Sequence, residues 1–236
     1  MVDGVSLTVL AAVVFSYFLG NLSPATIMGK LYGVDIRKAG SGNPGTTNTF
    51  REIGPAAAGI TLLIDILKGC AAVLIGRYFL DGGVYEYICG TAVFLGHIWP
   101  VCYKFKGGKG IATGFGVMLI LNWKVGLILF LIAAAGALIS RRMSVGSVAA
   151  ALAVPVAFGI ASGGNRYIIL WGLALCAIIL WRHRSNIQRL IRGEEPPIGL
   201  FDKLRKKKDL ERAGTTQTAA ESSVSDTEDA GKKKMQ

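Results

Sequence analysis

Residues 40–51 read Gly-Ser-Gly-Asn-Pro-Gly-Thr-Thr-Asn-Thr-Phe-Arg. Gly40, Gly42 and Gly45 let backbone N–H groups turn inward at close range, and Ser41, Asn43, Thr46, Thr47 and Asn48 add neutral hydrogen-bonding groups. Arg51 closes the run with a fork of donors matched to phosphate. The stretch holds no carboxylate, so the chemistry it suits is the cradling of an anion. The Gly40-x-Gly42-x-x-Gly45 spacing is formally that of a dinucleotide fingerprint, but no strand pattern precedes it and no βαβ unit follows. The plainer alternative is an ordinary Gly/Pro-rich turn.

A second stretch, residues 104–113, reads Lys-Phe-Lys-Gly-Gly-Lys-Gly-Ile-Ala-Thr, with Gly107, Gly108 and Gly110 around Lys109. It is not a P-loop, because the residue after Lys109 is Gly rather than Ser or Thr. It leads directly into an apolar segment over about 110–123, whose rise of roughly 21 Å is short of the ~30 Å of a hydrocarbon core. The N-terminus of that helix is therefore expected near the inner surface, its free N–H groups and dipole facing an anion. The alternative is a short loop whose lysines only set topology.

The third stretch, residues 181–194, reads Trp-Arg-His-Arg-Ser-Asn-Ile-Gln-Arg-Leu-Ile-Arg-Gly-Glu. His183 and Asn186 are three apart and share one face of a helix. The later half, with Ile187, Leu190 and Ile191 beside Arg184, Arg189 and Arg192, reads as an amphipathic surface helix. Two further features carry ionisable groups. Asp65 and Lys68 fall inside an apolar run at i,i+3 spacing, which suits a structural ion pair. His97 precedes the Lys109 loop by twelve residues and is either a substrate contact or a satisfied structural donor.

The elements that must position these residues are membrane spans. The chain has 236 residues, 52% of them hydrophobic, and a mean hydropathy of +0.47, which is too apolar for an ordinary soluble domain. Seven apolar stretches run over about 5–22, 54–79, 83–101, 110–123, 125–140, 143–161 and 167–181. With the N-terminus outside, the inner loops before the tail carry nine basic residues and the outer loops only Arg77, Lys124 and Arg166, as the positive-inside rule requires. The net charge of +11 then follows from topology and inner-leaflet lipid and calls for no nucleic acid. The first six residues lack Lys and Arg, so the first span does not read as a cleaved signal peptide. Cys70, Cys89, Cys102 and Cys176 all lie in or at the ends of apolar runs, without metal spacing, and read as packing residues. The expected fold is all-α, an integral membrane protein of seven transmembrane helices with a cytoplasmic C-terminus and glycine-rich cytoplasmic loops. Two regions are expected: a membrane domain over 1–202 and a disordered, charged cytoplasmic tail over 203–236, where aliphatics nearly vanish.

In combination the motifs resemble the bacterial acyl-phosphate-dependent glycerol-3-phosphate acyltransferases, the PlsY family. Ser41, Gly42, Asn43, Gly45, Thr47, Asn48 and Arg51 match its first-loop motif. Asp65, Lys68 and Gly69 match its intramembrane Asp-x-x-Lys-Gly. Phe105, Gly107, Gly108, Lys109, Gly110, Ala112 and Thr113 match its glycine-lysine loop, and His183, Asn186, Ile187, Arg189 and Leu190 its closing motif. The resemblance covers about residues 5–200; the charged tail departs from it. It implies transfer of a long acyl chain from acyl phosphate to the 1-hydroxyl of sn-glycerol 3-phosphate, giving lysophosphatidate and inorganic phosphate in phospholipid synthesis. The active site would lie at the cytoplasmic side of the bacterial inner membrane. Carried over by motif, Ser41, Arg51, Lys109, His183 and Asn186 would hold glycerol 3-phosphate, and residues 42–48 the acyl phosphate.

The residue types agree with that chemistry. Both substrates carry phosphate, and two glycine-rich cradles each bring a cation. An acyl phosphate is a mixed anhydride with a good leaving group, so no strong nucleophile is needed and donors on the carbonyl and leaving phosphate supply the acceleration. Neither histidine is followed by Asp at the HxxxxD spacing of the other glycerolipid acyltransferases. The general base is left between His183 and the donor phosphate. No metal and no cofactor is expected; the partners are the two substrates, membrane lipids and, as a further candidate, a soluble enzyme that makes acyl phosphate. The rival class is a small transporter for a phosphate-bearing solute, against which stands the lack of an inverted repeat.

Overall fold

Ten α-helices and no strand make up the described part of the computed structural model, residues 2–198, with side chains described from residue 7 onward. The tail expected over 203–236 lies outside the described residues. The helices are α1 Val2–Asn21, α2 Pro24–Leu31, α3 Thr46–Glu52, α4 Pro55–Phe79, α5 Val84–Ile98, α6 Ile111–Leu121, α7 Trp123–Ser140, α8 Met143–Ala161, α9 Arg166–Arg182 and α10 Arg184–Ile191. Each of the seven apolar stretches falls on one of α1, α4, α5, α6, α7, α8 and α9.

Among the described residues four segments can cross a membrane by length and composition: Leu7–Leu31, Pro55–Phe79, Trp123–Ser140 and Met143–Ala161. The pair α9 and α10, bent by 61° at His183, makes a fifth if counted as one broken span. α5 has 15 residues and α6 has 11, both short of the ~20 of a straight crossing. The outward faces are apolar: Ile139 is 86% exposed and Ile160 78%, a surface suited to lipid and unsuited to water.

Local chemistry sets the boundaries. Proline opens α2 and α4 at their first positions, where the missing N–H is no loss. Asn122 separates α6 from α7; its side chain caps α7 by accepting from Val125 N at 3.2 Å, which satisfies an otherwise orphaned donor. Helices meet through small residues. A methyl group on Gly20 of α1 would lie 2.8 Å from the Gly96 Cα of α5, so both glycines permit backbone contact that a larger residue would block. The apolar centre is Phe94, Ile98, Met118, Leu129, Phe158, Leu175 and Ile179. Trp171 joins it with its indole N–H satisfied by Thr91 Oγ1 at 2.9 Å.

Two details differ from the sequence reading. All four cysteines are free, but Cys102 is exposed rather than packed, because it sits in the 3-10 turn Val101–Tyr103 beyond the end of α5. The closing motif is not one continuous helix. His183 takes φ −96°, ψ 5° and ends α9, so α10 starts in a new direction.

Candidate active site

The three motif stretches converge at one end of the bundle. The first is a loop wound around a side chain. Asn48 is 2% exposed; its amide nitrogen donates to the carbonyls of Ile36 and Ala39, both at 3.1 Å, and its oxygen accepts from Ser41 N at 3.0 Å. Asn48 therefore holds the loop's shape from inside. Gly40 and Gly42 take φ of +57° and +67°, values that favour glycine. Ser41, Gly42 and Asn43 are left on the open side, where they line a cleft of about 670 Å³.

The glycine-lysine loop forms another wall. Gly107 N donates to Ile98 O and Gly108 N to His97 O, both at 3.1 Å. Their carbonyls are held by Arg182 of α9, with Nη2 to Gly107 O at 2.8 Å and Nε to Gly108 O at 3.1 Å. Gly108 packs against the His97 ring and Gly110, at φ +83°, against Phe94. Lys104 and Phe105, though not glycines, take φ of +53° and +59°, a local strain of the kind that collects at functional loops. The loop is thus fixed on both sides and presents Lys109.

Lys109 donates to Asn186 Oδ1 of α10. Asn186 Nδ2 in turn donates to Glu195 Oε1 at 2.7 Å, and Arg189 Nε donates to Glu195 Oε2 at 2.7 Å. Glu195 is buried, and Arg142 Nε reaches its backbone carbonyl at 3.0 Å. Burial raises the affinity of Glu195 for its proton, but the hydrogen bonds from Asn186 and Arg189 outweigh that and hold the carboxyl below its ordinary range. Burial pushes the Lys109 ammonium down to about 8; Glu195 opposes this, while Arg189, Arg182 and Arg51 add to it. His183 is buried, and burial together with the charge on Lys109 pushes its imidazole down to about 4, so it is neutral near pH 7. Its Nδ1 lies 2.9 Å from Ile179 O. A carbonyl only accepts, so the hydrogen sits on Nδ1 and Nε2 keeps its lone pair.

Ser41 and Lys109 thereby line one cleft, with Asn186 bonded to Lys109 and with His183 and Arg51 near enough to Lys109 to interact with its charge. Arg51 sits in the last turn of α3 and also donates to Pro196 O at 3.3 Å. Thr46 and Thr47 begin α3 beside the loop. His97 and Asn48 are placed elsewhere, behind the walls. His97 Nδ1 is 2.9 Å from Lys68 Nζ and 3.4 Å from Asp65 Oδ1. Lys68 pairs with Asp65 at 2.7 Å and donates to the carbonyls of Gly20 and Leu22 at 3.1 and 2.7 Å. This buried group ties α4 to the end of α1 and to the root of the Lys109 loop.

The cleft is strongly basic. Arg37, Lys38, Lys106, Lys109, Arg182, Arg184 and Arg189 line it against a single carboxylate, Asp35. Among the described residues no cluster of three His, Cys, Asp or Glu side chains lies close enough to hold a metal ion. What the walls offer is cations, N–H donors and amides, the equipment for binding phosphate.

A helical protein with membrane-length apolar helices and a basic cleft at one end is the class that fold and site define. The chain belongs to the glycerol-3-phosphate acyltransferase family, whose model matches residues 10–193. It is 42% identical over 196 residues to a glycerol-3-phosphate acyltransferase of Parasynechococcus marenigrum (strain WH8102), covering 83% of this chain and 92% of the relative. It is 43% identical over 189 residues to one from Prochlorococcus marinus (strain MIT 9211), covering 78% and 91%. Its fold is similar to crystal structures of PlsY (YgiH), an integral membrane glycerol 3-phosphate acyltransferase. For the glycerol 3-phosphate form the TM-score is 0.77 at 34% identity, covering 83% of this chain and 98% of that one. For the lysophosphatidic acid form it is 0.72 at 34% identity, covering 80% and 94%.

Glu195 and Arg182 are the site residues that motif reading missed. Glu195 had one signal: the acid pair Glu194–Glu195 after Gly193, at φ +73°, where the chain turns back from the basic helix α10.

Proposed function

We propose that this protein is an acyltransferase that moves a fatty acyl group from acyl phosphate to the 1-hydroxyl of sn-glycerol 3-phosphate. The products are lysophosphatidate and inorganic phosphate. The observation that carries the reading is the line Lys109–Asn186–Glu195, which holds an ammonium at the wall of a cleft rich in cations, next to the Ser41–Gly42–Asn43 loop. Two phosphates have to be held close together while one of them leaves, and this cleft supplies charge for both.

In the reaction, the glycerol hydroxyl oxygen forms a bond to the acyl carbonyl carbon, and the carbon–oxygen bond to phosphate breaks. The electron pair leaves on the phosphate oxygen. Lys109 and Arg51 hold the glycerol 3-phosphate, with Ser41, His183 and Asn186 completing its cradle. Donors among residues 42–47 hold the donor phosphate, and Gly107 and Gly108, whose N–H groups are taken by Ile98 O and His97 O, shape the wall beside it. The hydroxyl proton must pass to a base. An imidazole pushed to about 4 is a poor acceptor near pH 7, whereas a phosphate with a second pKa of about 6 is a better one. The donor phosphate is therefore the base in this mechanism, and neutral His183 orients the acceptor. No metal or cofactor takes part.

We infer seven crossings with the N-terminus outside and the cleft on the cytoplasmic side, an orientation the loop charges support, in the bacterial inner membrane that the family resemblance implies. α5 and α6 would then cross as short helices within the bundle. A soluble enzyme that makes acyl phosphate would meet the protein on that face. Residues 1–202 are the catalytic domain in this reading, and a chain ended after Phe201 should keep its turnover. The test of the function is direct: purified protein given acyl phosphate and glycerol 3-phosphate forms lysophosphatidate and phosphate in equal amounts. A protein that moves a phosphate-bearing solute across vesicles and forms no ester would refute it.

A further inference from the structure

Arg37 counts in the sequence only as one of the loop charges that set topology. The structure gives it another character. Its guanidinium stacks on the Tyr103 ring, 4.3 Å from the centroid, and Nη1 donates to the Lys106 carbonyl. Nε and Nη2 are closed off from solvent and have no acceptor within reach, yet Arg37 lines the basic cleft. Two charged donors removed from water without a partner are costly. The nearest carboxylate does not relieve them: Asp35 Oδ1 accepts from the backbone N–H of Arg37 at 3.2 Å, and Oδ2 sits 3.5 Å from Lys38 Nζ. Burial is also the main influence on Arg37, lowering its pKa. An anion against this wall would supply the missing acceptors.

We propose that Arg37 is a further binding residue for the phosphate of the acyl donor. The position selects the donor over the acceptor. Arg37 lies at the start of the loop that carries Gly42 and Asn43, and a methyl group on Gly42 would fall 2.9 Å from the Arg37 carbonyl. Asn186 and Arg189 belong to α10, and Arg37 meets the loop that carries Lys109 at the Lys106 carbonyl. The planar fork, held flat by Tyr103, suits two oxygens of one phosphate. The assignment rests on the acyl-phosphate reading above.

The experiment compares full-length wild type with Arg37→Ala and Arg37→Lys. It measures KM for palmitoyl phosphate, KM for glycerol 3-phosphate and inhibition by inorganic phosphate, the product of the donor. Arg37→Ala should raise the donor KM and weaken phosphate inhibition by about tenfold or more, the scale of lost charge-assisted hydrogen bonds. The glycerol 3-phosphate KM should stay within about twofold, and Arg37→Lys, which keeps the charge but not the fork, should fall between. A donor KM that does not move, or equal rises in both KM values, overturns the assignment. So does a loss of activity that only follows a lower melting temperature. If wild type shows no turnover, the acyl-phosphate reading fails separately. Inorganic phosphate should then still raise the melting temperature of wild type more than that of Arg37→Lys, and equal rises would overturn the role of Arg37.

Discussion

Asn186 donates to Glu195 Oε1 at 2.7 Å while its own oxygen accepts from Lys109. An amide can be read either way round, but here a carboxylate that only accepts and an ammonium that only donates leave one orientation. The amide thus links a buried acid to the cation at the cleft wall, and Lys109 cannot turn away without leaving Asn186 unsatisfied.

Lys109→Ala removes the oriented cation and should lower kcat/KM by at least the equivalent of about 2 kcal/mol, the scale for one preorganised donor. Lys104→Ala should change it little, since Lys104 is exposed and does not line the cleft. Steady-state kinetics of both variants decide the matter; equal losses would mean that the loop acts only through its total charge.

The same residue sets a pH limit. Burial pushes Lys109 down to about 8, so its charged form is lost as pH rises through that value. For the free enzyme, kcat/KM should fall above about pH 8, the quantity that reports free-enzyme ionisations. Lys109→Arg, if active, should carry its rate to higher pH. A wild-type profile flat to pH 10 would contradict the assignment.

Glu195→Ala strands the buried Asn186 amide and releases the Arg189 guanidinium, which lines the cleft. It should destabilise the fold by about 1–3 kcal/mol, the cost of unmet buried polar groups, and lower kcat. Glu195→Gln, which keeps an acceptor, should do less. Melting curves and kinetics measured side by side test this, and an Ala variant with wild-type melting and turnover would refute it.

Much of this candidate site is legible in residue order, and the reasons for the rest are physical. Lys109 and Asn186 were recognisable because glycines and amides at fixed spacing suit phosphate. Glu195 was not, because its role depends on a chain reversal at Gly193 that brings it back nine residues to Asn186. The seven apolar runs each fall on a helix, though only four segments, or five with the bent pair, are long and apolar enough to cross a membrane; the bend at His183 was not visible. It comes from a backbone turn and a ring hydrogen bond to Ile179 O within a sequence whose pattern reads as continuous helix. Likewise, spacing paired Asp65 with Lys68, but only tertiary contact shows that His97 joins them beneath the Lys109 loop.

That buried group makes its own prediction. Lys68→Met leaves the Asp65 charge in the apolar interior with His97 beside it at 3.4 Å in place of an ammonium, which should cost about 3–5 kcal/mol. Adding Asp65→Asn removes the stranded charge and should restore a large part of the loss. Thermal unfolding in detergent measures both. A double variant no more stable than Lys68→Met alone would show that Lys68 acts mainly by capping the Gly20 and Leu22 carbonyls.

The cleft is proposed to transfer an acyl group from phosphate to glycerol 3-phosphate. The most direct measurement supplies purified protein with radiolabelled glycerol 3-phosphate and, in parallel, palmitoyl phosphate or palmitoyl-CoA. Labelled lysophosphatidate should form with acyl phosphate, in step with released inorganic phosphate, without added metal, and should nearly vanish in Lys109→Ala. Product formed from the thioester and none from the acyl phosphate would contradict the account.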